Sequence, residues 1–281
     1  MPDKIAVITG ASSGFGLLTS VELAKAGFRV VASMRNLAKR GPLDEAANAA
    51  GVAGRIEIRE LDVTHFSAIP AFAESTVRDY QRIDVLVNNA GFAVGGFAED
   101  VALDELRMQF ETNFFGAVAM TKAVLPVMRR QRSGHIIQVS SIGGLCGAVS
   151  ISSYSASKHA LEGWSESLRL EVHSLGIKVV LVEPGSFDTG VWTQGAVMAT
   201  DAKKSTSPNF QRSLRMREAI QKLPKAYPIT VARLITAIAL DADPKLRYVV
   251  GRDARIQLAM KRLLPWKWQE KLIANYLKLD R

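Results

Sequence analysis

The chain has 281 residues, 48% of them hydrophobic and 22% charged, which is the composition of an ordinary globular protein. The formal net charge of +9 is regional, because residues 201–281 contain 18 basic and 7 acidic side chains. No aromatic–basic repeat or zinc-finger spacing accompanies this charge, so we predict no nucleic-acid partner. With one cysteine, no signal peptide and no apolar run of membrane-spanning length, the sequence predicts a soluble protein with a cytoplasmic location.

Short runs rich in Val and Ile alternate with segments of helical length as far as Pro184. Strands without a polar face are typical of a parallel sheet that is covered by helices on both sides. The predicted fold class is therefore α/β, with a doubly wound parallel sheet of about seven strands in a single domain over residues 1–281. Strands are predicted at 5–9, 29–33, 55–61, 84–89, 134–140, 178–184 and 248–251, and helices near 15–26, 37–49, 66–80, 103–131, 154–174 and 231–240.

Two segments after the sixth predicted strand differ from this pattern. Residues 186–230 are small and polar with little periodicity, and they follow a strand end where ligands bind, so we predict a substrate loop or lid. A plain surface loop is the alternative. Residues 252–281 are a predicted amphipathic extension, whose apolar stripe packs on its own domain, a partner subunit or a pocket mouth in preference to a membrane surface. The stripe consists of Trp268, Leu272, Tyr276 and Leu279.

A glycine-rich turn, TGASSGFG, joins the first predicted strand to the first helix. Gly10, Gly14 and Gly16 let the backbone turn tightly, so that a phosphate can approach the N–H groups at the positive end of the helix dipole. The spacing departs from G-x-G-x-x-G, but the strand before it and the helix after it predict dinucleotide binding on a Rossmann-type sheet. The other residues of this turn predicted to contact the cofactor are Ser12, Ser13 and Phe15.

The end of the second predicted strand bears on the choice of cofactor. An acidic side chain there would mark NAD, whereas Arg35 suits the 2′-phosphate of NADP, so we predict NADP (NADPH) in preference to NAD. The alternative is an Arg35 that only faces solvent. Asp62 and Val63 follow the third strand, where Asp62 either meets the adenine amino group or caps the next helix.

A phenol and an ammonium lie four residues apart on a predicted helix, as Tyr154 and Lys158. The ammonium favours phenolate, which makes proton transfer near neutral pH practicable for a group whose ordinary pKa is about 10. Ser140 and Ser141 end a strand about thirteen residues before Tyr154, where a hydroxyl can hydrogen-bond the same substrate oxygen. Asn113 lies in a long apolar helix, where its amide needs a partner.

The motifs TGASSGFG, NNAG, TNFFG, SSIGG, YSASK and EPGSFDT occur in this order over about residues 4–190. With them the chain resembles the short-chain dehydrogenase/reductase family, and it looks like the branch that contains 17β-hydroxysteroid and retinol dehydrogenases. The resemblance implies that Tyr154 exchanges a proton with the substrate oxygen that Ser141 holds, since the family's serine lies thirteen residues before the tyrosine, which makes Ser140 the less favoured serine. It further implies that Lys158 lowers the pKa of the tyrosine and binds the nicotinamide ribose, and that Asn113 holds a water in a proton relay.

The resemblance also implies further cofactor contacts, a substrate class and an assembly. The expected activity is an NADP(H)-dependent oxidoreduction of an apolar secondary alcohol or ketone, without a metal. The expected assembly is a homodimer or homotetramer that forms through the helices near 103–131 and 154–174. The alternatives are a catalytically silent NADP-binding regulatory protein and a peripheral membrane-associated retinol- or steroid-type dehydrogenase. Besides Tyr154 and Lys158, the additional residues expected to line the cofactor are Asn89, Ala90, Gly91, Pro184, Gly185 and Thr189.

Overall fold

Strands and helices alternate along the chain in a computed structural model, which describes residues 3–189, 196–199 and 225–277. The strands are β1 (Ile5–Ile8), β2 (Arg29–Met34), β3 (Ile56–Glu60), β4 (Val85–Asn88), β5 (Ala93–Gly95), β6 (Gly134–Val139), β7 (Ile177–Pro184), β8 (Ala196–Met198) and β9 (Arg247–Val250). The longer helices are α1 (Gly14–Lys25), α2 (Gly41–Ala49), α3 (Ala68–Tyr80), α4 (Leu103–Phe110), α5 (Gly116–Gln131), α6 (Ser152–Glu171), α7 (Ile229–Leu240), α8 (Arg252–Leu263) and α9 (Trp266–Leu277).

Seven of the strands form one parallel sheet in the order β3, β2, β1, β4, β6, β7, β9. The strand order reverses beside β1, and open α/β sheets bind ligands in the crevice outside the carboxyl ends of the strands at this point. The predicted fold class is confirmed. The sequence did not predict the second, two-stranded sheet, in which β5 pairs in parallel with β8.

The core lies on both faces of the sheet, because successive side chains of a strand point to opposite sides. Ala6 and Ile8 of β1 belong to a cluster with residues of α1, α2 and α7, whereas Ile5 and Val7 belong to a cluster with residues of α3, α5 and α6. All four side chains are at most 2% exposed. This double coverage explains why the central strand β1, with the sequence IAVI, is an unbroken apolar run.

The helix predicted over 103–131 is interrupted in the structure. Between α4 and α5, residues Glu111–Phe115 form one turn of π-helix, and this turn contains Asn113. Such turns widen a helix and are frequent at functional sites. The helix predicted over 37–49 is also divided, because α2 begins only at Gly41, ahead of Pro42, whose ring is suited to the first helical turn.

Most of the predicted lid over 186–230, namely residues 190–195 and 200–224, lies outside the described residues. The predicted C-terminal extension forms α8 and α9. Ala254 of α8 is buried, and Gln269 of α9 donates to Leu264 O over 2.7 Å, which joins the two helices.

The apolar stripe of the extension is only partly described, because Tyr276 and Leu279 fall outside the part whose side chains can be described. Trp268 and Leu272 share one face of α9, and they are 64% and 46% exposed. Within α9, Gln269 provides the described contact with α8. Packing of the stripe on its own domain, a partner subunit or a pocket mouth, or on a membrane surface, stays a prediction. Within the described ranges, no helix combines the length and the apolarity that crossing a bilayer requires.

Candidate active site

The glycine turn after β1 has the backbone conformation that a phosphate cradle needs. Gly10 and Gly14 have φ angles of +69° and +55°, which favour glycine. A Cβ on Gly16 would lie 2.4 Å from the carbonyl oxygen of Gly10, so this position also requires glycine. Ser13 precedes α1 in an extended conformation, and no side-chain cap from the described residues closes the helix end. The open N–H groups of the first turn fit a pyrophosphate.

Two residues of the NNAG segment brace this turn through Thr9. The amide of Asn89 donates to the carbonyl oxygens of Thr9 and Gly10 over 2.9 and 3.0 Å. The Thr9 hydroxyl accepts from the N–H groups of Asn89 and Ala90, each over 3.0 Å. Ala90 also packs against Gly10, and a Cβ on Gly91 would lie 3.1 Å from Asn113 Oδ1. Thr9 was not among the predicted site residues, although it opens the TGASSGFG motif.

The segment after β7 closes over the same turn. A Cβ on Gly14 would lie 2.9 Å from the carbonyl oxygen of Thr189, and the rings of Phe15 and Phe187 meet edge to face at 5.6 Å. Pro184 is buried at the end of β7, and a Cβ on Gly185 would collide with a carboxylate of α8. The structure therefore brings the predicted residues of the first and last motifs together.

That carboxylate belongs to Asp253, which the sequence interpretation missed. Asp253 Oδ2 accepts from the backbone N–H of Ser186 over 2.8 Å, so α8 fixes the turn after Pro184. In the sequence, Asp253 is recognisable only as an acidic residue in the first turn of a helix, and such residues are common at that position.

The residues predicted to recognise the adenosine half of the cofactor lie beyond β2 and β3. Arg35 is exposed directly after β2. Asp62 Oδ1 accepts from the N–H and the hydroxyl of Thr64 over 2.9 and 2.7 Å, which closes a turn. The expected helix cap is not found, because the next helix, α3, begins only at Ala68 after Ser67. Partial burial raises the pKa of Asp62. The hydrogen bonds from Thr64 and the charge of Arg35 outweigh burial and hold this pKa below its usual range. Val63 is buried and packs against the start of α5 at Gly116.

Tyr154 and Ser141 meet at the carboxyl end of β6. Tyr154 is 8% exposed on α6, and its phenol is hydrogen-bonded to the Ser141 side chain. Ser141 Oγ also accepts from the N–H of Gly143 over 3.0 Å, which fixes its orientation. Burial raises the pKa of Tyr154 while the Ser141 hydrogen bond opposes that shift, so the phenol holds its proton at neutral pH. The net shift is opposite to the lowering that was expected from Lys158, because burial of the phenol dominates. Ser140, in contrast, is turned into the interior beside Glu162.

Lys158 lies one turn along α6 from Tyr154, as predicted. It is 5% exposed, its Nζ donates to the carbonyl oxygen of Val139 over 2.8 Å, and it lies 5.9 Å from the centre of the Tyr154 ring. Burial lowers the pKa of Lys158 to about 8, against the opposing charge of Glu162. Lys158 is therefore mainly protonated at neutral pH and provides positive charge beside the phenol.

Asn113 is 1% exposed and ties three segments together. Its amide nitrogen donates to the carbonyl oxygen of Phe92 over 3.0 Å and to Ser157 Oγ over 3.2 Å, and its Oδ1 accepts from the N–H of Phe92 over 3.1 Å. Ser157 Oγ in turn donates to the carbonyl oxygen of Tyr154 over 2.8 Å. The π-helical turn thus holds α6 in register with the segment after β4. The predicted water relay to Lys158 stays a prediction.

Comparison with known proteins identifies this arrangement of motifs. A family model described as short chain dehydrogenase matches residues 4–197. The chain belongs to the short-chain dehydrogenase/reductase family. It is 43% identical over 280 residues to an uncharacterised oxidoreductase, YusZ, of Bacillus subtilis, with 99% of each chain covered. It resembles a solved short-chain dehydrogenase from Streptomyces avermitilis with a TM-score of 0.83 and 33% identity, covering 100% of this chain and 98% of that one.

Two further relatives carry more specific names. The 3-ketodihydrosphingosine reductase of Bacteroides thetaiotaomicron is 38% identical over 260 residues, with 92% of each chain covered. Retinol dehydrogenase 8 of Bos taurus is 35% identical over 272 residues, covering 93% of this chain and 86% of the relative. The predicted family is confirmed. This short-chain dehydrogenase/reductase is an NAD(P)-dependent oxidoreductase that acts on CH–OH groups.

The remaining candidate groups of this short-chain dehydrogenase/reductase do not add a reactive centre. Cys146 is half-buried, and burial raises the pKa of its thiol although Lys261 opposes the shift, so the thiolate is disfavoured at neutral pH. In the described part of the chain, no three His, Cys, Asp or Glu side chains are grouped so that they could hold a metal ion.

Proposed function

We propose that this enzyme is an NADP(H)-dependent oxidoreductase that interconverts an apolar secondary alcohol and the corresponding ketone. The observation that carries the proposal is the hydrogen bond between Tyr154 and Ser141, buried at the carboxyl edge of the sheet with Lys158 beside it. Two relatives are named for the alcohol retinol and the ketone 3-ketodihydrosphingosine, which favours an apolar alcohol or ketone here as well.

The proton chemistry is assigned to three side chains. Ser141 holds the substrate oxygen by a hydrogen bond, and Tyr154 Oη gives its proton to that oxygen in reduction or accepts it in oxidation. Because burial raises the pKa of Tyr154, the unliganded site holds the proton that ketone reduction consumes. The Lys158 ammonium stabilises the phenolate that remains after transfer. Asn113 keeps α6 in place through Phe92 and Ser157.

The residues around the glycine turn fit a dinucleotide, since Gly10 and Gly14 have the positive φ angles of a tight turn and the first turn of α1 offers uncapped N–H groups. NADP, when bound, supplies the hydride exchange with the substrate carbon. We assign Lys158 to its ribose and Asp62 to its adenine. The remaining assigned contacts are Gly10, Ser12, Ser13, Gly14, Phe15, Gly16, Arg35, Val63, Asn89, Ala90, Gly91, Pro184, Gly185 and Thr189.

A substrate panel tests the proposed activity. We expect the purified protein to oxidise NADPH with apolar ketones and to reduce NADP with the matching secondary alcohols, measured by nicotinamide absorbance. Polar hydroxy acids and sugars of similar size serve as the comparison set. Tight NADPH binding without turnover of any ketone or alcohol would instead favour the catalytically silent regulatory protein.

Arg35→Asp tests the cofactor preference. We expect kcat/KM for NADPH to fall about 10- to 100-fold, because a charge-assisted hydrogen bond to phosphate contributes about 1.5–3 kcal/mol. Activity with NADH should rise or stay constant, since the new carboxylate can accept from a ribose hydroxyl. Lys39→Asp, another exposed charge reversal in the same loop, is the control and should leave the NADPH to NADH ratio unchanged. An equal ratio in wild type and Arg35→Asp would contradict the assignment.

The predicted homodimer or homotetramer also belongs to this proposal. Apolar side chains are exposed on the two helical regions predicted to form the contact, with Leu103 of α4 at 68% and Leu170 of α6 at 80%. Burial of such side chains between subunits would remove apolar surface from water.

A further inference from the structure

A cluster of charged side chains lies one helical turn beyond Lys158, on the side away from Tyr154. Glu162 belongs to α6, Glu183 to β7 and Arg247 to β9. Glu162 is 4% exposed and Glu183 is fully buried. Arg247 Nη2 donates to Glu162 Oε2 over 2.9 Å, and Arg247 Nε lies 3.0 Å from Glu183 Oε1. Two acidic side chains therefore share one arginine in the protein interior.

The two carboxyl groups differ in their hydrogen bonding, and this decides which one is ionised. Glu162 Oε2 accepts from both Nε and Nη2 of Arg247, whereas among the described residues neither oxygen of Glu183 has a partner with good hydrogen-bond geometry. Burial and the neighbouring Glu162 charge raise the pKa of Glu183 to about 8. At neutral pH the proton therefore lies on Glu183 and the negative charge on Glu162.

This charge acts on the ammonium of Lys158. The two residues are four positions apart and lie on the same face of α6, and both side chains are buried. Burial lowers the pKa of Lys158 to about 8, and Glu162 is the group that opposes this shift. Without Glu162, burial alone would bring the lysine close to losing its proton at neutral pH.

We propose that Glu162 is a positioning residue, which acts through Lys158 by keeping its side chain protonated at neutral pH. The inference rests on the proposed function, because it gives a reason for the charge that Lys158 needs beside Tyr154. A neutral amine would not stabilise the phenolate. The Arg247 and Glu183 pair then serves to hold Glu162 ionised and in place.

The charged groups around Glu162 lie on its own helix and on two strands of the sheet. On α6 it lies between Lys158 and Glu166, and Arg247 approaches it from β9 with Glu183 behind, on β7. Glu166 is half-exposed and binds Arg247 Nη1 over 2.7 Å, at the solvent side of the cluster. Burial raises the pKa of Glu162 as well, but a hydroxyl of the segment after β6, Arg247 and Lys158 oppose this shift.

That hydroxyl belongs to Ser140, which lies beside Glu162 without forming a fully aligned hydrogen bond. Gly144 leaves room for both groups, because a Cβ there would lie 2.8 Å from Ser140 Oγ and 3.0 Å from Glu162 Cγ. Glycine at this position therefore lets Ser140 and Glu162 lie side by side.

The protonation of Lys158 can be followed directly in the unliganded full-length protein. We would record the Cε resonances of protein labelled with carbon-13 lysine as a function of pH, and assign Lys158 as the signal that is lost in Lys158→Met. In Glu162→Gln we expect the midpoint of this titration to move down by about one pH unit, the size expected for two partly desolvated charges one turn apart. An unchanged midpoint would overturn the proposal.

Glu166→Gln is the matched control. It removes an equal charge from the same arginine, but at two helical turns from Lys158 and in contact with solvent, where screening is strong. We expect its Lys158 midpoint to equal that of the wild type, whereas a shift as large as that of Glu162→Gln would show a general field effect and refute a specific role. Glu162→Asp keeps the charge and should restore most of the wild-type midpoint.

Two further measurements separate this role from a structural one. Ser140→Ala leaves the Arg247 contacts intact but destabilises the ionised form of Glu162, so it should lower the Lys158 midpoint by less than Glu162→Gln does. This variant tests the proposal even if Glu162→Gln does not fold. In ketone reduction, the alkaline limb of kcat should move to lower pH in Glu162→Gln, whereas a structural defect lowers kcat by one factor at all pH values. The resonance titration needs no turnover, so failure of the proposed activity would be recognised separately.

Discussion

Tyr154→Phe is expected to lower kcat by about 100- to 10,000-fold, because the variant has no group that can exchange a proton with the substrate oxygen. The fold should survive, since the change removes one buried hydroxyl whose described partner is Ser141, at a cost of about 1 kcal/mol. Cofactor affinity should change little. The measurement is steady-state turnover in both directions together with a direct titration of NADPH binding.

Tyr248→Phe is the control for loss of a phenol. Its hydroxyl accepts from the N–H of Lys245 over 3.0 Å, at the start of β9 and outside the catalytic cluster. We expect this variant to keep wild-type kcat. More than about one tenth of wild-type turnover in Tyr154→Phe would refute the acid–base role of Tyr154.

Gly16→Ala should produce the second large effect, on cofactor affinity. The new Cβ would lie 2.4 Å from the carbonyl oxygen of Gly10 and 2.5 Å from Nδ2 of Asn89, so the turn that would hold the pyrophosphate has to move. Such overpacking destabilises a fold by about 1–3 kcal/mol. We expect the Kd for NADPH to rise at least about tenfold, which corresponds to 1.4 kcal/mol. Calorimetric titration and thermal unfolding measure the two effects.

Gly163→Ala is the matched control for adding a methyl group. Gly163 lies within α6, and no described atom comes within 4 Å of a Cβ at this position. We expect it to raise stability by about 0.5–1 kcal/mol, because alanine loses less conformational entropy in a helix, and to leave NADPH affinity unchanged. Equal NADPH affinity in Gly16→Ala and wild type would contradict a phosphate cradle at this turn.

Local patterns in the sequence predicted most of the sheet correctly. The Val- and Ile-rich runs indicated every strand of the large sheet. Central strands such as β1 are apolar throughout because both faces are covered, whereas the edge strand β3, with the sequence IEIRE, alternates apolar and charged residues. The sequence did not indicate the small strands β5 and β8, because three residues are too few to show a periodic pattern. The sequence did not indicate the π-helical turn at Asn113 either, because its residues fit an ordinary α-helix equally well.

The candidate site also has a part that the sequence predicts and a part that depends on the tertiary structure. The sequence by itself determined the glycine turn and the spacing of Tyr154 and Lys158, because both depend on neighbours within one strand–turn–helix unit or one helical turn. Only the tertiary structure decided that Asp253 fixes the turn after β7, and that Glu162 meets Arg247 across 85 residues of chain. An acidic residue on a helix has the same local pattern whether it faces solvent or a buried arginine. Its partner is set by how helices pack on the sheet, which no short stretch of sequence encodes.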